Sequence, residues 1–273
     1  MSFKIIACDL DRTLLDSKGK ISDRNIRAVK ELYKRGVFFV PASGRTMSEM
    51  PKVLKDLEGI RYFIHSNGAA VFDSVTKKSI LSCIKRPVSC KVYEILKEYD
   101  THIVFRHGGE CFADSHFQTE AHFEYYNVCH EHAGVIKDFA VYLDSLDTAL
   151  ESFDDIEVFS AFFHNLDEQR ACAERLDALG LGWAFAHYAN IEIFNKEAGK
   201  GNALKALCNA AGIDIADSIA VGDSDNDLSM IEMSGLGLAV SNATENVRAR
   251  ADKIVCSNDE HVIEYILENI VED

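Results

Sequence analysis

Two aspartates follow a short apolar run near the start of the chain. Asp9 and Asp11 come directly after Ile5–Cys8, which has the length and composition of a buried strand. Side chains on a strand repeat every two residues, so both carboxylates are predicted to project toward the same side. Carboxylates this close repel each other unless a cation bridges them or one keeps its proton. The pair therefore indicates a metal or acid–base site, with an ordinary acidic turn as the alternative.

A second acidic group follows another apolar run, at residues 218–221. The segment from Gly222 to Asp227 contains Asp223, Asp225 and Asp227, and three carboxylates this close together are costly to hold without a cation. Oxygen ligands suit Mg²⁺, which takes few carboxylates and keeps several waters. The segment does not fit an EF-hand loop, because the required glycine and distal glutamate are missing. The alternative is a solvated acidic turn that caps a helix.

Phosphate-binding groups are predicted at the same place. Lys200 precedes a helical pattern, and a lysine at a helix N-terminus is unfavourable unless an anion also binds there. Ser43 and Gly44 follow a second buried strand and offer a hydroxyl group and backbone N–H groups, and Asn67 follows a third. Because open α/β sheets bind ligands at the carboxyl ends of their strands, these groups describe a site for a phosphate bridged to a carboxylate by Mg²⁺. A solvated lysine and an ordinary N-cap serine are the alternatives.

The elements around these residues predict an α/β protein with an insertion. The first and last thirds of the chain alternate strands with helices, which indicates βαβ units and a parallel sheet; one of these helices is predicted from Thr46 to Glu58. The middle third is less regular and richer in aromatic residues and histidines, which indicates a separate α+β module. We therefore predict a core of residues 1–83 and 188–273 and an inserted domain of residues 84–187.

Composition limits the classes of function. Of the 273 residues, 47% are hydrophobic and 27% are charged, as in soluble globular proteins. A net charge of −15 argues against nucleic acid or an anionic membrane as a partner. No segment resembles a signal peptide or a membrane span, and the eight cysteines are scattered without a CxxC pair. A cytoplasmic protein with reduced thiols is predicted.

The chemistry-bearing segments resemble a known family. In order along the chain, they are similar to the four motifs of the haloacid dehalogenase-like (HAD) hydrolase superfamily: Asp9-Leu10-Asp11-Arg12-Thr13, Ser43-Gly44-Arg45, Lys200-Gly201 and the run from Gly222 to Asp227. The insertion, Asn67-Gly68 and Asn242-Ala243 resemble the Cof-type phosphatase branch of that superfamily. The resemblance implies a Rossmann-like, three-layer core and a type-2 cap domain, residues 84–187, that sets substrate specificity.

The resemblance also implies a role for each site residue. Asp9 would be the nucleophile that forms an aspartyl-phosphate. Asp11 would protonate the leaving oxygen and then activate water. Mg²⁺ would be held by the Asp9 side chain, the Asp11 backbone carbonyl and Asp223, with Asp227 and Asn226 in support. The substrate phosphate and its surroundings would be contacted by Ser43, Gly44, Arg45, Asn67, Lys200 and Asn226, of which Ser43 and Lys200 would also neutralise the transferring group.

The sequence thus predicts a Mg²⁺-dependent phosphatase that hydrolyses phosphomonoesters of small metabolites, with sugar phosphates as the expected class. The alternatives are a phosphotransferase or phosphomutase of the same superfamily and a non-catalytic protein that binds phosphorylated metabolites. The sequence leaves open whether the protein is a monomer or a homodimer. One departure from the family pattern is Arg12, which stands where relatives usually have glycine. We expect this arginine to restrict the turn or to reach toward the substrate.

Overall fold

The computed structural model describes residues 3–271. The chain divides into two compact units. Within the described range, unit 1 comprises residues 3–44, 50–80 and 199–271, and unit 2 comprises residues 45–49 and 81–198. Within this range, every helix falls short of the combined length and hydrophobicity that a bilayer crossing requires.

The chain up to residue 81 alternates strands and helices as far as β3 and then adds two further strands: β1 (Ile5–Cys8), α1 (Asp23–Lys34), β2 (Phe38–Pro41), α2 (Lys52–Lys55), β3 (Tyr62–His65), β4 (Ala70–Asp73) and β5 (Lys78–Leu81). The helix predicted from Thr46 to Glu58 is wrong in extent, since only α2 is helical there. Pro51 is the reason, because proline cannot donate the helical hydrogen bond and it disfavours a helical backbone at the residue before it.

The inserted part of the chain contains a second set of elements: β6 (Ile84–Lys85), α3 (Arg86–Lys97), β7 (Thr101–His107), β8 (Glu110–Asp114), α4 (Glu120–Tyr125), α5 (His130–Phe139), β9 (Ala140–Leu143), α6 (Leu146–Ser152), β10 (Asp155–Ile156), β11 (Val158–Phe163), α7 (Leu166–Asp177), β12 (Gly182–His187) and β13 (Asn190–Phe194). The rest of the chain returns to unit 1 with α8 (Lys200–Ala211), β14 (Ser218–Gly222), α9 (Leu228–Met233), β15 (Leu236–Ala239), α10 (Glu245–Arg250), β16 (Lys253–Ile254) and α11 (Val262–Asn269).

Unit 1 is built on a parallel sheet with the strand order β16-β15-β14-β1-β2. Strand β1 lies between β14 and β2, and all four of its side chains are buried. This is the expected state of a central parallel strand, since such sheets are covered by helices. Helix α1 packs on α11, and α8 packs on α9. The predicted α/β fold with a parallel sheet is confirmed.

Unit 2 is built on a mainly antiparallel sheet with the order β12-β13-β11-β7-β8-β9, in which the β8–β9 pair is parallel. Alternate residues of β7 enter two different cores: Ile103 and Phe105 pack with residues of α3, α6 and α7, whereas Val104 packs with residues of α4 and α5. The alternation follows from the two-residue repeat of a strand. An inserted α+β region is therefore present.

The end of the inserted region differs from the predicted boundary at residue 187. Strand β13 pairs with β11 and β12 in the antiparallel sheet, and unit 2 continues to Ala198. A buried apolar strand has the same composition in a parallel and an antiparallel sheet, so the sequence of β13 does not indicate to which sheet it belongs. The Arg45–Glu49 segment also groups with unit 2.

His102, on β7, is a fully buried histidine within unit 2. Neither of its ring nitrogens has a hydrogen-bond partner among the described residues. The rings that surround it are those of Phe117, His122, Phe123, Tyr126 and Phe162. Burial, and secondarily the charge of His122, lowers the pKa of His102 from 6.5 to about 4. Between these two values an unfolded chain binds a proton that the folded chain does not, so the free energy of unfolding must fall as the pH decreases.

We expect His102→Phe to remove part of the acid sensitivity of unit 2. From the pKa shift, the free energy of unfolding of the unmodified protein should fall by roughly 2 kcal/mol between about pH 7 and pH 5 because of this one group. Urea unfolding, followed by fluorescence of the sole tryptophan, Trp183 of unit 2, measures the loss. An exposed histidine, His130, supplies the control variant His130→Asn. Equal pH dependence in the two variants would contradict the assignment.

Candidate active site

The turn after β1 places Asp9 inside the protein and Asp11 at its surface. β1 ends at Cys8, and residues 10–14 form a tight irregular turn in which Arg12 adopts a left-handed backbone with φ 63°. Asp9 is 5% exposed, whereas Asp11 is exposed. The expectation that both carboxylates project toward the same side is therefore not supported by strand geometry, because the strand does not reach Asp11. The roles predicted for Asp11 remain predictions.

Three buried aspartates converge at the carboxyl end of the sheet. Asp9 follows β1 and Asp223 follows β14, and the two strands are adjacent and parallel, which brings their ends together. Asp227 completes the group after a short turn. One carboxylate oxygen from each of the three lies within 4.8 Å of the others. We call this group the acidic triad.

The loop between β14 and α9 orients Asp227. Its Oδ2 accepts hydrogen bonds from the backbone N–H groups of Asp223 (3.0 Å) and Ser224 (3.1 Å). Gly222 allows this approach, since a Cβ atom there would lie 2.4 Å from Cγ of Asp227. The glycine before the acidic run is therefore required by packing against a site carboxylate. The sequence shows its presence but not this contact.

Lys200 joins two members of the acidic triad. Its Nζ donates to Oδ1 of Asp9 at 2.7 Å and to Oδ1 of Asp227 at 2.6 Å, and its side chain is fully buried. Gly68 adopts a left-handed conformation, and its turn packs directly on the backbone of Gly199 and Lys200. A Cβ atom at position 68 would lie 2.4 Å from the Gly199 carbonyl. The start of α8 is thus held in place, and with it the lysine.

Burial dominates the electrostatics of the site. It raises the pKa of Asp9 to about 7, with the charge of Asp227 adding to the effect and Lys200 opposing it. It also raises the pKa of Asp223 to about 6, again with Asp227 adding. For Lys200, burial favours the neutral form, but Asp227 and Asp9 outweigh it and the pKa is raised above its ordinary value. Asp9 and Asp223 are therefore costly to ionise without a further cation, and convergent oxygen donors are the ligands that Mg²⁺ prefers.

A polar cluster lies on the neighbouring strand ends. The backbone N–H of Ser43 donates to the Ile64 carbonyl at 2.9 Å, and that of Asn67 donates to the Ser43 carbonyl at 3.1 Å. Asn226 donates from Nδ2 to Oδ1 of Asn67 at 3.0 Å. A Cβ atom on Gly44 would lie 3.0 Å from the same Oδ1. The structure thus brings four of the predicted substrate-binding residues together, while their contacts with substrate remain predicted.

Arg45 differs from the other predicted substrate-binding residues. It begins the Arg45–Glu49 segment of unit 2, and its guanidinium donates to the Glu49 carbonyl at 3.3 Å. Its role in substrate binding stays a prediction.

Asn242 has a role that sequence reasoning did not identify. Its Nδ2 donates to the Arg12 carbonyl at 2.8 Å, and its Oδ1 accepts from the backbone N–H of Asn258 at 3.0 Å. The side chain therefore fixes the turn that carries Asp11 and Arg12. The only sequence signal for Asn242 was its place in Asn242-Ala243, which resembles the Cof-type branch. That signal does not predict the contact with Arg12, because the two residues are far apart in the chain.

Comparison with known proteins identifies the family of this chain. A family model for haloacid dehalogenase-like hydrolases matches residues 6–267. Phosphatase YwpJ of Bacillus subtilis (strain 168) is 27% identical over 98% of this chain and 100% of its own length. The 5-amino-6-(5-phospho-D-ribitylamino)uracil phosphatase YwtE of the same organism is 24% identical over 98% of both chains.

A solved haloacid dehalogenase-like hydrolase from Bacteroides thetaiotaomicron has the same fold, with a TM-score of 0.82 at 24% identity over 98% of this chain and 100% of that chain. Because both relatives named above are phosphatases, the predicted enzyme class, a hydrolase of phosphoric monoesters, is confirmed. Since the family model covers nearly the whole sequence, the chain belongs to the haloacid dehalogenase-like hydrolase family, in the Cof-type branch that its motifs predict.

Proposed function

We propose that the protein is a Mg²⁺-dependent phosphatase that hydrolyses phosphomonoesters of small metabolites through an aspartyl-phosphate on Asp9. The observation that carries the proposal is the position of Asp9, buried at the end of the central strand and joined to Lys200 beside two further carboxylates. A nucleophile, a fixed positive charge and a set of metal ligands are the parts that phosphoryl transfer needs.

Asp9 is suited to attack phosphorus because its two oxygens have different surroundings. Oδ1 accepts the hydrogen bond from Lys200. Among the described residues, Oδ2 receives no hydrogen bond from the protein, so its lone pairs are available for attack. In the first step Asp9 forms a bond to phosphorus as the ester oxygen leaves, and Asp11 supplies the proton that the leaving oxygen takes up. Splitting one displacement into two easier ones is the advantage of a covalent intermediate.

In the second step, Asp11 accepts a proton from water while the water oxygen attacks phosphorus. The bond from phosphorus to Asp9 breaks, and inorganic phosphate and the free carboxylate result. Lys200 stabilises negative charge throughout, since its amine is buried and charged where water cannot screen it. Bound Mg²⁺, held by Asp9, Asp223 and the Asp11 carbonyl with support from Asp227, would supply further charge stabilisation.

The residues around the phosphate would fix its orientation. Ser43 offers its hydroxyl group, and the Gly44 backbone leaves room beside the Asn67 side chain. The hydrogen bond from Asn226 to Asn67 ties the metal-binding loop to this side of the site. We assign the specificity for the rest of the substrate to unit 2, as the cap domain. Sugar phosphates are the proposed class, in line with the family resemblance and with the phosphorylated ribityl compound in the name of the relative YwtE.

The proposal is tested by a screen of phosphorylated sugars, sugar alcohols, nucleotides and cofactors with Mg²⁺. We expect phosphate release from one or more sugar phosphates, loss of the activity with EDTA and recovery when Mg²⁺ is added in excess. The Asp9→Asn variant, purified in parallel, shows whether a contaminating phosphatase contributes. Activity that is indifferent to EDTA would remove the metal from the mechanism. No release from any phosphomonoester would contradict the function.

A further inference from the structure

The charges of the acidic triad are balanced unequally. Lys200 donates to Asp9 and Asp227, so one buried ammonium serves two of the three carboxylates. The third, Asp223, lies 3.8 Å from Nε of Arg12, measured from its Oδ2. The Asp223 side chain is 5% exposed, and among the described residues it forms no other ion pair.

The Arg12–Asp223 pair forms although the backbone of Arg12 is strained. A left-handed conformation, with φ 63° and ψ 12°, is unfavourable for a long side chain and easy for glycine. Asn242 fixes the turn by its hydrogen bond to the Arg12 carbonyl, so the arginine is held beside Asp223 despite the strain. The guanidinium is otherwise in water, since the Arg12 side chain is 72% exposed.

We propose that Arg12 is a positioning residue that neutralises Asp223 when no metal is bound and thereby weakens the binding of Mg²⁺. The inference rests on the proposed function, in which Asp223 is a metal ligand. A carboxylate paired with a guanidinium must give up or share that partner when a divalent cation arrives. The two positive charges also repel each other.

Removal of the charge should therefore have opposite effects on the two states. In the metal-free protein, Asp223 loses its counter-charge, so the melting temperature should fall. In the presence of Mg²⁺ the repulsion is gone, and the metal should bind roughly tenfold more tightly at low ionic strength, as expected for a unit charge several ångströms from a divalent ion in aqueous surroundings. The gain should shrink in high salt, because the guanidinium is exposed and screened.

Calorimetric titration with MgCl₂ alone, with no substrate, tests the proposal. The variants are Arg12→Gln, which removes the charge, and Arg12→Lys, which keeps a positive charge at the same position. Arg12→Asn is the second neutral variant, since asparagine tolerates the left-handed backbone. Thermal unfolding of each variant, with and without MgCl₂, checks folding and measures the shift caused by the metal. We expect both neutral variants to bind Mg²⁺ several-fold more tightly and to show a larger thermal shift, with Arg12→Lys near the unmodified protein.

The outcomes separate the inference from the proposed function. If the unmodified protein binds Mg²⁺ and the neutral variants bind it equally or less tightly, Arg12 has no such role and the inference is wrong, while the proposed function stands. If neither the unmodified protein nor any variant binds Mg²⁺, the metal site itself is wrong and both fail. Equal gains for Arg12→Lys and Arg12→Gln would also overturn the inference, because the effect would then not depend on charge.

Discussion

Replacing Asp9 by asparagine is expected to lower kcat by at least several orders of magnitude. The amide has nearly the same shape, so it fits the buried position at the end of β1, but it is a far weaker nucleophile than a carboxylate. The change also removes one of the two carboxylates that Lys200 contacts and one carboxylate of the proposed metal site. An effect on kcat at saturating substrate, measured as phosphate release, is the sign of an interaction needed in the transition state.

Asp225→Asn is the matched control for this experiment. Asp225 lies in the same acidic loop but is exposed, and its Oδ1 accepts from Nδ2 of Asn246 at 3.0 Å, outside the acidic triad. We expect this variant to keep most of the activity. A near-normal kcat for Asp9→Asn would contradict the assignment of the nucleophile, whatever the control shows.

Lys200→Met should reduce both activity and stability. Methionine fills similar space but leaves Asp9 and Asp227 without the ammonium that joins them. Breaking a buried pair by removing one partner leaves uncompensated charge, which costs about 3 kcal/mol or more of the free energy of unfolding. The loss of a positive charge next to the transferring group should lower kcat by about two to three orders of magnitude.

Lys205→Ala provides the comparison, because Lys205 is an exposed lysine on the same helix, α8. Denaturant unfolding and steady-state kinetics of the two variants separate the specific effect from a general loss of a lysine. If Lys200→Met retains the stability and kcat of Lys205→Ala, the buried ion pairs do not support the site in the way described.

Sequence patterns are sufficient to predict that the site residues converge. Asp9 and Asp223 are far apart in the chain, but each follows a buried strand of a βαβ pattern, and parallel strands place such residues at one edge. Lys200 was expected there because a lysine at a helix start needs an anion nearby. The structure supplies two such anions, in Asp9 and Asp227.

Contacts between distant segments could not be predicted from the sequence. The hydrogen bond from Asn242 to the Arg12 carbonyl and the exposure of Asp11 depend on a turn of irregular geometry, which has no periodic pattern. The end of the antiparallel sheet lies beyond residue 187, and the sequence does not indicate this because β13 has the composition of either sheet. The helix predicted at residues 46–58 is too long for a different reason: the sequence contains Pro51, which argues against a continuous helix there.

The most direct test of the account is to trap the phosphorylated enzyme. Asp11→Asn removes the base proposed for the second step, so the intermediate should accumulate when this variant is mixed with p-nitrophenyl phosphate and Mg²⁺. Borohydride reduction converts an aspartyl-phosphate to homoserine, which peptide mass spectrometry locates. The account predicts homoserine at position 9. Release of p-nitrophenol by the variant with unmodified Asp9, or homoserine at another aspartate, would contradict it.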